Sequence, residues 1–251
     1  MILLELKNIL KNIKISEDKE KSYKPETPTE KIKKNKEKFS PLMKEIEDYI
    51  KHYSNAPTHL GGLMIKLEKQ DKETLENIKE KLLEDLQKGT KNIEGTKKYL
   101  KLMKEHKNPY IAYEEYREKY RKGDVIDFAD KDVAKYFNHG TIIYKINKLL
   151  GKDPYDGIDK DAYHGVIHHV FHPSNFLSMP RMSNDPKNPL GHLNRILEDT
   201  FRHVDDPEIR KSLHESYENY LEKQKQKRSP DTYEKIYDNY KKYLLPILKN
   251  K

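Results

Sequence analysis

The sequence predicts a mainly α protein, and three observations carry that prediction. Apolar residues recur three and four positions apart through most of the chain, which is the period of an amphipathic helix. A cap residue followed by proline occurs at Ser40-Pro41, Asn188-Pro189, Asp206-Pro207 and Ser229-Pro230. This pairing starts helices, because the cap side chain accepts an orphan backbone N–H and proline has none to lose. Only one stretch, 166–171 (VIHHVF), reads differently: it is short, β-branched and preceded by glycine, so it predicts a strand. The expected fold is therefore a lysine-rich helical N-terminal region and an α-rich C-terminal domain with one short β element near 166–171.

In chain order, Ile2, Leu3, Leu6, Ile9, Leu10 and Ile13 mark one face of a short helix whose other face carries Lys7, Lys11 and Lys14. Its spaced apolar residues and the lack of a small-residue cleavage site do not read as a signal peptide. Residues 17–38 are charged, carry Pro25 and Pro28, and read as a solvated linker. A helix opens at Ser40-Pro41 on Leu42, Met43, Ile46, Tyr49, Ile50 and Tyr53, and 55–62 reads as a loop. The next spans about Lys72–Lys88 on Leu75, Ile78, Leu82, Leu83 and Leu86, and Gly89 stops it. A third covers about Lys91–Glu105, and a fourth opens at Asn108-Pro109 with Tyr110, Tyr113, Tyr116 and Tyr120 in a stripe that suits a packing seam.

A domain boundary near Gly123-Asp124 divides a basic region, 1–123, from a histidine-rich domain, 124–251. Beyond it the pattern gives short helices at about Asp130–Phe137 and Thr141–Leu150, the second ended by Gly151. Lys152–Gly165 holds Pro154, Gly157 and four aspartates and reads as a loop, and Pro173–Lys187 as a long irregular one. The rest is helical, on Leu190, Leu193, Leu197 and Phe201, then Ile209, Leu213, Tyr217 and Leu221, then Tyr233, Ile236, Tyr237, Tyr240 and Leu244, with Pro246 closing the last helix early.

Composition narrows the function. Hydrophobic residues make up 34% and charged residues 37% of 251, so cores are modest and surfaces crowded with charge. The net charge of +8 suits polyanions such as nucleic acid or an anionic membrane surface, although a lysine-rich composition alone accounts for it equally well. Without cysteine there is neither a disulfide framework nor a thiolate zinc site. No run approaches the roughly 20 apolar residues of a membrane span. There is no P-loop, no G-x-G-x-x-G and no G-x-S-x-G.

What remains is histidine. Six of the chain's 11 histidines lie between Tyr163 and His203. On a strand, His168 and His169 point to opposite faces. One of them then faces the core, where an unpaired ring is costly and must meet a carbonyl, a carboxylate or a metal. A proline-rich loop follows, then a helix start that shows Asn188 and His192 on one side. Arg181, Arg195 and Arg202 are near in sequence and could clamp phosphates. On a helix instead, His168 and His172 would share a face as a metal pair, but Pro173 ends it at once. The histidines could equally be satisfied structural residues of a helical protein.

This order of strand, loop and helix resembles the His-Me finger (HNH, or ββα-metal) nucleases, and is most similar to their paired-histidine toxin branch, over about residues 164–203. The resemblance implies metal-dependent phosphodiester hydrolysis with one divalent cation (Mg, Mn, Ni or Zn). His169 would be the general base, His168 and His192 metal ligands, and Asn188 the asparagine of the motif. His203 or His214 would complete the set if the later helices fold back. The implied partner is DNA or RNA, with a protein partner or inhibitor where the chain is a toxin or effector domain. The alternative expectation is a non-enzymatic basic helical protein that binds nucleic acid or a protein partner.

Overall fold

The computed structural model describes residues 41–48, 59–89, 98, 101–102, 105–106, 115, 131–177 and 190–249. The chain divides into two units, Met1–Leu42 and Met43–Lys251. The second unit holds α1 (Gly61–Leu67), α2 (Lys72–Gly89), α3 (Lys131–Leu150), α4 (Lys160–Val170), α5 (Pro173–Leu177), α6 (His192–His203), α7 (Pro207–Lys227) and α8 (Pro230–Asn239). A π-helical turn (Tyr240–Leu244) and α9 (Leu245–Lys249) complete it. The protein is mainly α, and no strand occurs among the described residues. None of the described helices is long and apolar enough to cross a membrane. The expected N-terminal helix, the 17–38 linker, the boundary at 123–124 and the Asn188-Pro189 start lie outside the described residues, as does most of the expected helical region 91–120.

Two helices organise the packing. α3 contacts α1, α2, α4 and α6, while α7 contacts α4, α5, α8 and α9. α3 can be central because it is apolar on most sides: Val133, Ala134, Phe137, Ile142, Ile143, Tyr144 and Ile146 are all buried. Between α3 and α7 runs a chain of aromatic rings. Phe137 meets Phe171 edge-on at 5.6 Å, Phe171 lies 6.2 Å from Phe176, Phe176 meets Tyr217 at 6.1 Å, and Tyr217 stacks on Tyr240 at 5.9 Å. Each such pair adds about 0.5–1.5 kcal/mol beyond the area it buries. The buried Tyr217 hydroxyl donates to the Phe171 carbonyl at 3.0 Å, so the ring chain closes without an orphaned polar atom at that point.

The expected strand at 166–171 is not formed: residues 160–170 are α4. Asp159 caps that helix, its side chain accepting the Ala162 N–H at 3.0 Å. Every residue from Ala162 to Val170 is buried. A short apolar β-branched run has no polar face to reveal its period, so a helix buried all round looks like a buried strand.

The same capping aspartate shortens the expected loop, which ends at Asp159 instead of Gly165. Where two short helices were expected, α3 is one helix through Gly140. That glycine marks a close approach, because a Cβ there would lie 2.6 Å from the Tyr163 ring. Gly151, at φ +70°, ends α3 as expected. The expected loop at 55–62 gives way to α1 from Gly61, and Pro173 opens a short helix where an irregular loop was expected. Pro246 does not close the last helix, since α9 runs through it. Proline lacks an N–H and collides with the carbonyl four residues back, here that of Lys242. The π-helical turn falls on that segment, and a widened turn is how a helix absorbs such an insult.

Candidate functional site

Folding α4 as a helix buries its histidines where it packs against α3 and α7. His164, His168, His169 and His172 are all buried, and the question for each is what its nitrogens meet.

His164 belongs to a network with Tyr155 and Asp206. The Tyr155 hydroxyl donates to Asp206 Oδ2. That uses its only proton, so the 2.9 Å contact between Tyr155 Oη and His164 Nε2 must be an N–H donated by the imidazole. The same nitrogen lies 3.4 Å from Asp206 Oδ2. Asp206 Oδ1 meanwhile caps α7, accepting from the N–H groups of Glu208 (2.8 Å) and Ile209 (3.1 Å). Burial alone would raise the Asp206 carboxyl, but hydrogen bonds from His164, Tyr155 and Ile209 outweigh it and hold the group well below its ordinary range. The bond to Asp206 in turn pushes the Tyr155 hydroxyl, already raised by burial, far above its usual value. This is a structural clamp between the 151–159 loop, α4 and α7.

His168 Nε2 lies 2.7 Å from Ser212 Oγ, which looks like a nucleophile beside its base. Proton accounting argues otherwise. Ser212 Oγ donates to the Ile209 carbonyl at 3.2 Å, so the imidazole is the donor and the serine is not activated. Burial also pushes His168 down to about 3, with a smaller contribution from His164, too low for a general base at neutral pH. Its Nδ1 is buried with no hydrogen-bond partner.

His169, the base in the resemblance, is buried on α4, and its carbonyl accepts from the Asn175 side chain at 3.2 Å. His172 lies beyond the end of α4, with its Nδ1 2.8 Å from Ser174 Oγ, so the helical pair with His168 is not built. His192 is the exposed first residue of α6. Arg195 is exposed on α6, and Arg202 is exposed with its guanidinium 3.2 Å from Glu198. Asn188 and Arg181 lie outside the described residues. Among the described residues, no group of three or more metal-ligating side chains is gathered around a common point.

The arrangement that sequence reasoning missed is centred on Asp199, on the inner face of α6 and only 4% exposed. Its Oδ2 accepts the Leu60 N–H at 2.8 Å and lies 3.1 Å from His59 Nδ1. Its Oδ1 is buried without a hydrogen bond, 3.9 Å from His203 Nε2 one turn on. A Cβ on Gly61 would fall 2.5 Å from this oxygen, so only glycine lets the start of α1 approach so closely. Beside it, Lys145 Nζ pairs with Glu68 at 2.6 Å. Burial lowers His203, helped by the Lys145 charge, and the opposing pull of Asp199 and Glu68 does not reverse it. The spacing of Asp199 and His203, four apart in LEDTFRH, was the available signal.

Comparisons with protein-family models, with curated proteins and with solved structures find no match to this chain.

Proposed function

We propose that the chain is a non-enzymatic, basic helical protein that binds nucleic acid, with single strands the preferred form. The observation that carries this reading is a stacked tyrosine pair on α8 with lysines set over tyrosine rings at the π-helical turn. Tyr233 and Tyr237 are half-buried and stacked, with ring centroids 5.7 Å apart and planes 14° from parallel. Lys241 Nζ sits 4.8 Å over the Tyr237 ring, and Lys242 Nζ 4.9 Å over Tyr243. Lys235 on α8, Lys241 and Lys242 on the π-helical turn and Lys249 on α9 are all exposed, with Asp231, Glu234 and Asp238 exposed among them. Single-strand binders pair stacking rings for the bases with cations for the phosphates, each stacked base being worth about 1–3 kcal/mol. A net charge of +8 supports the same partner.

The buried histidines fit this reading as structural groups, because His164 and His168 spend a ring nitrogen on Tyr155 and Ser212. The nuclease reading loses the strand that its resemblance starts from, and with it the face that would present His169.

The test is an anisotropy titration of labelled single-stranded and duplex oligonucleotides, with a gel run on the same samples in Mg²⁺, Mn²⁺, Ni²⁺ or Zn²⁺ and with EDTA. We expect intact oligonucleotide, tighter binding of the single strand, and at least tenfold weaker binding by Tyr233→Ala/Tyr237→Ala. Metal-dependent cleavage that EDTA stops and His169→Ala abolishes would overturn this reading in favour of the nuclease.

A further inference from the structure

A buried carboxylate oxygen with no donor needs an account. In low-dielectric surroundings an ionised oxygen is stable only if paired, hydrogen-bonded or bound to a cation. Asp199 satisfies Oδ2 twice, through the Leu60 N–H and His59, and leaves Oδ1 bare. The group facing Oδ1 is His203 Nε2 at 3.9 Å. That separation is too long for a hydrogen bond. It is within the span of two metal–ligand bonds, since about 2.0–2.2 Å to each atom closes the gap at an angle of roughly 125–155°.

We propose that Asp199 Oδ1 and His203 Nε2 bind a divalent transition-metal cation, Zn²⁺ in preference to Mn²⁺ or Ca²⁺. Three features support it. The two ligands are four apart on α6 and therefore on one side of it. His59 and the Leu60 N–H fix the carboxylate through its other oxygen, the outer support that metal ligands ordinarily have. Gly61 keeps the space beside Oδ1 free of a side chain. Lys145 is the nearby opposing charge, and Glu68 neutralises it at 2.6 Å. An imidazole in the pair favours Zn²⁺ over Ca²⁺ and Mn²⁺, which prefer oxygen ligands. With two side chains as ligands, water or the oxygen of a bound anion fills the remaining positions. The pair differs from the set implied by the nuclease resemblance, which used His168, His192 and Asn188, and it stands whether or not the chain binds nucleic acid.

The experiment is thermal unfolding of the full chain at pH 7.5 after EDTA treatment and desalting, with Zn²⁺, Mn²⁺, Mg²⁺ or Ca²⁺ added alone. Isothermal titration calorimetry supplies the stoichiometry. Circular dichroism first checks that Asp199→Asn and His203→Gln are folded, and His203→Gln is the safer of the two because it keeps a polar group of similar reach. We expect one Zn²⁺ bound per chain with a rise in Tm, a gain lost in both variants and retained in His192→Ala and His214→Ala. A Tm that no ion moves overturns the proposal. So does a gain that survives both variants, or one that His192→Ala removes.

Discussion

Replacing Gly140 by alanine sets two effects of opposite sign against each other, and the structure decides between them. In an exposed helix interior, alanine in place of glycine stabilises by about 1 kcal/mol through backbone entropy. Gly140, however, sits in α3 where α4 crosses, and the new Cβ would lie 2.6 Å from Cδ2 and 2.8 Å from Cε2 of Tyr163. Ordinary carbon contacts are about 3.5–4.0 Å, so the ring must retreat by nearly 1 Å. It cannot do so freely. Tyr163 is fully buried, and its hydroxyl donates to Thr141 Oγ1 at 2.8 Å, whose own proton goes to the Phe137 carbonyl at 2.7 Å. Overpacking of this kind costs about 1–3 kcal/mol. Subtracting the helix gain leaves a net loss of up to about 2 kcal/mol, or a fall of up to roughly 4–8 °C in Tm for a unit of this size. Denaturant and thermal unfolding measure it, and Tyr163→Leu in the same chain should reduce the penalty. A Gly140→Ala variant more stable than wild type would show that the α3–α4 contact is not as tight as described.

Three further outcomes follow from the buried polar groups. His168 is held neutral at about 3 in the folded state against 6.5 unfolded, so the unfolded chain binds the extra proton; the stability from its neutral form is complete above pH 6.5 and lost as pH falls toward 3. The slope is up to about 1.4 kcal/mol per pH unit, His139 and His203 add in the same direction, and His168→Gln should flatten the pH dependence of Tm between 4 and 6.5. Asp206→Ala removes the α7 cap and leaves the Tyr155 hydroxyl without its acceptor, a combined loss of about 2–4 kcal/mol, whereas Tyr155→Phe should cost about 1 kcal/mol in the same unfolding assay. His169→Ala should leave oligonucleotide affinity within twofold of wild type, and a larger loss would place the α4 histidines in the binding surface.

How much of this was legible depended on whether a residue's role is local. Asp206 caps α7 and Pro230 opens α8, where the Ser229 hydroxyl donates to Thr232 and not to the backbone; Gly151 ended α3 and Gly89 closes α2, because such start and stop residues act within one turn of chain. The stretch at 166–171 misled because complete burial erases the polar half of a helical pattern. Gly140 and Pro246 misled for a related reason: both look like breaks, but one serves a contact with Tyr163 and the other is absorbed by a π-helical turn. The site was half legible. Histidine density pointed to 163–203, yet which carboxylate or hydroxyl meets each ring is set by α7 and by the start of α1, far away in sequence. Asp199 carries no local sign that its Oδ2 will accept the Leu60 N–H, 139 residues away.

Binding of nucleic-acid phosphates by the exposed lysines of α8 through α9, as proposed above, is read most directly in the salt dependence of affinity for a single-stranded oligonucleotide. If Lys235, Lys241, Lys242 and Lys249 each displace one counterion, log affinity should fall with log salt at a slope of about −2.8, a roughly 50-fold weakening between 50 and 200 mM. Lys241→Glu/Lys242→Glu should cut that slope by at least half. An affinity unchanged across this range, or a slope that the double substitution leaves intact, would contradict the account.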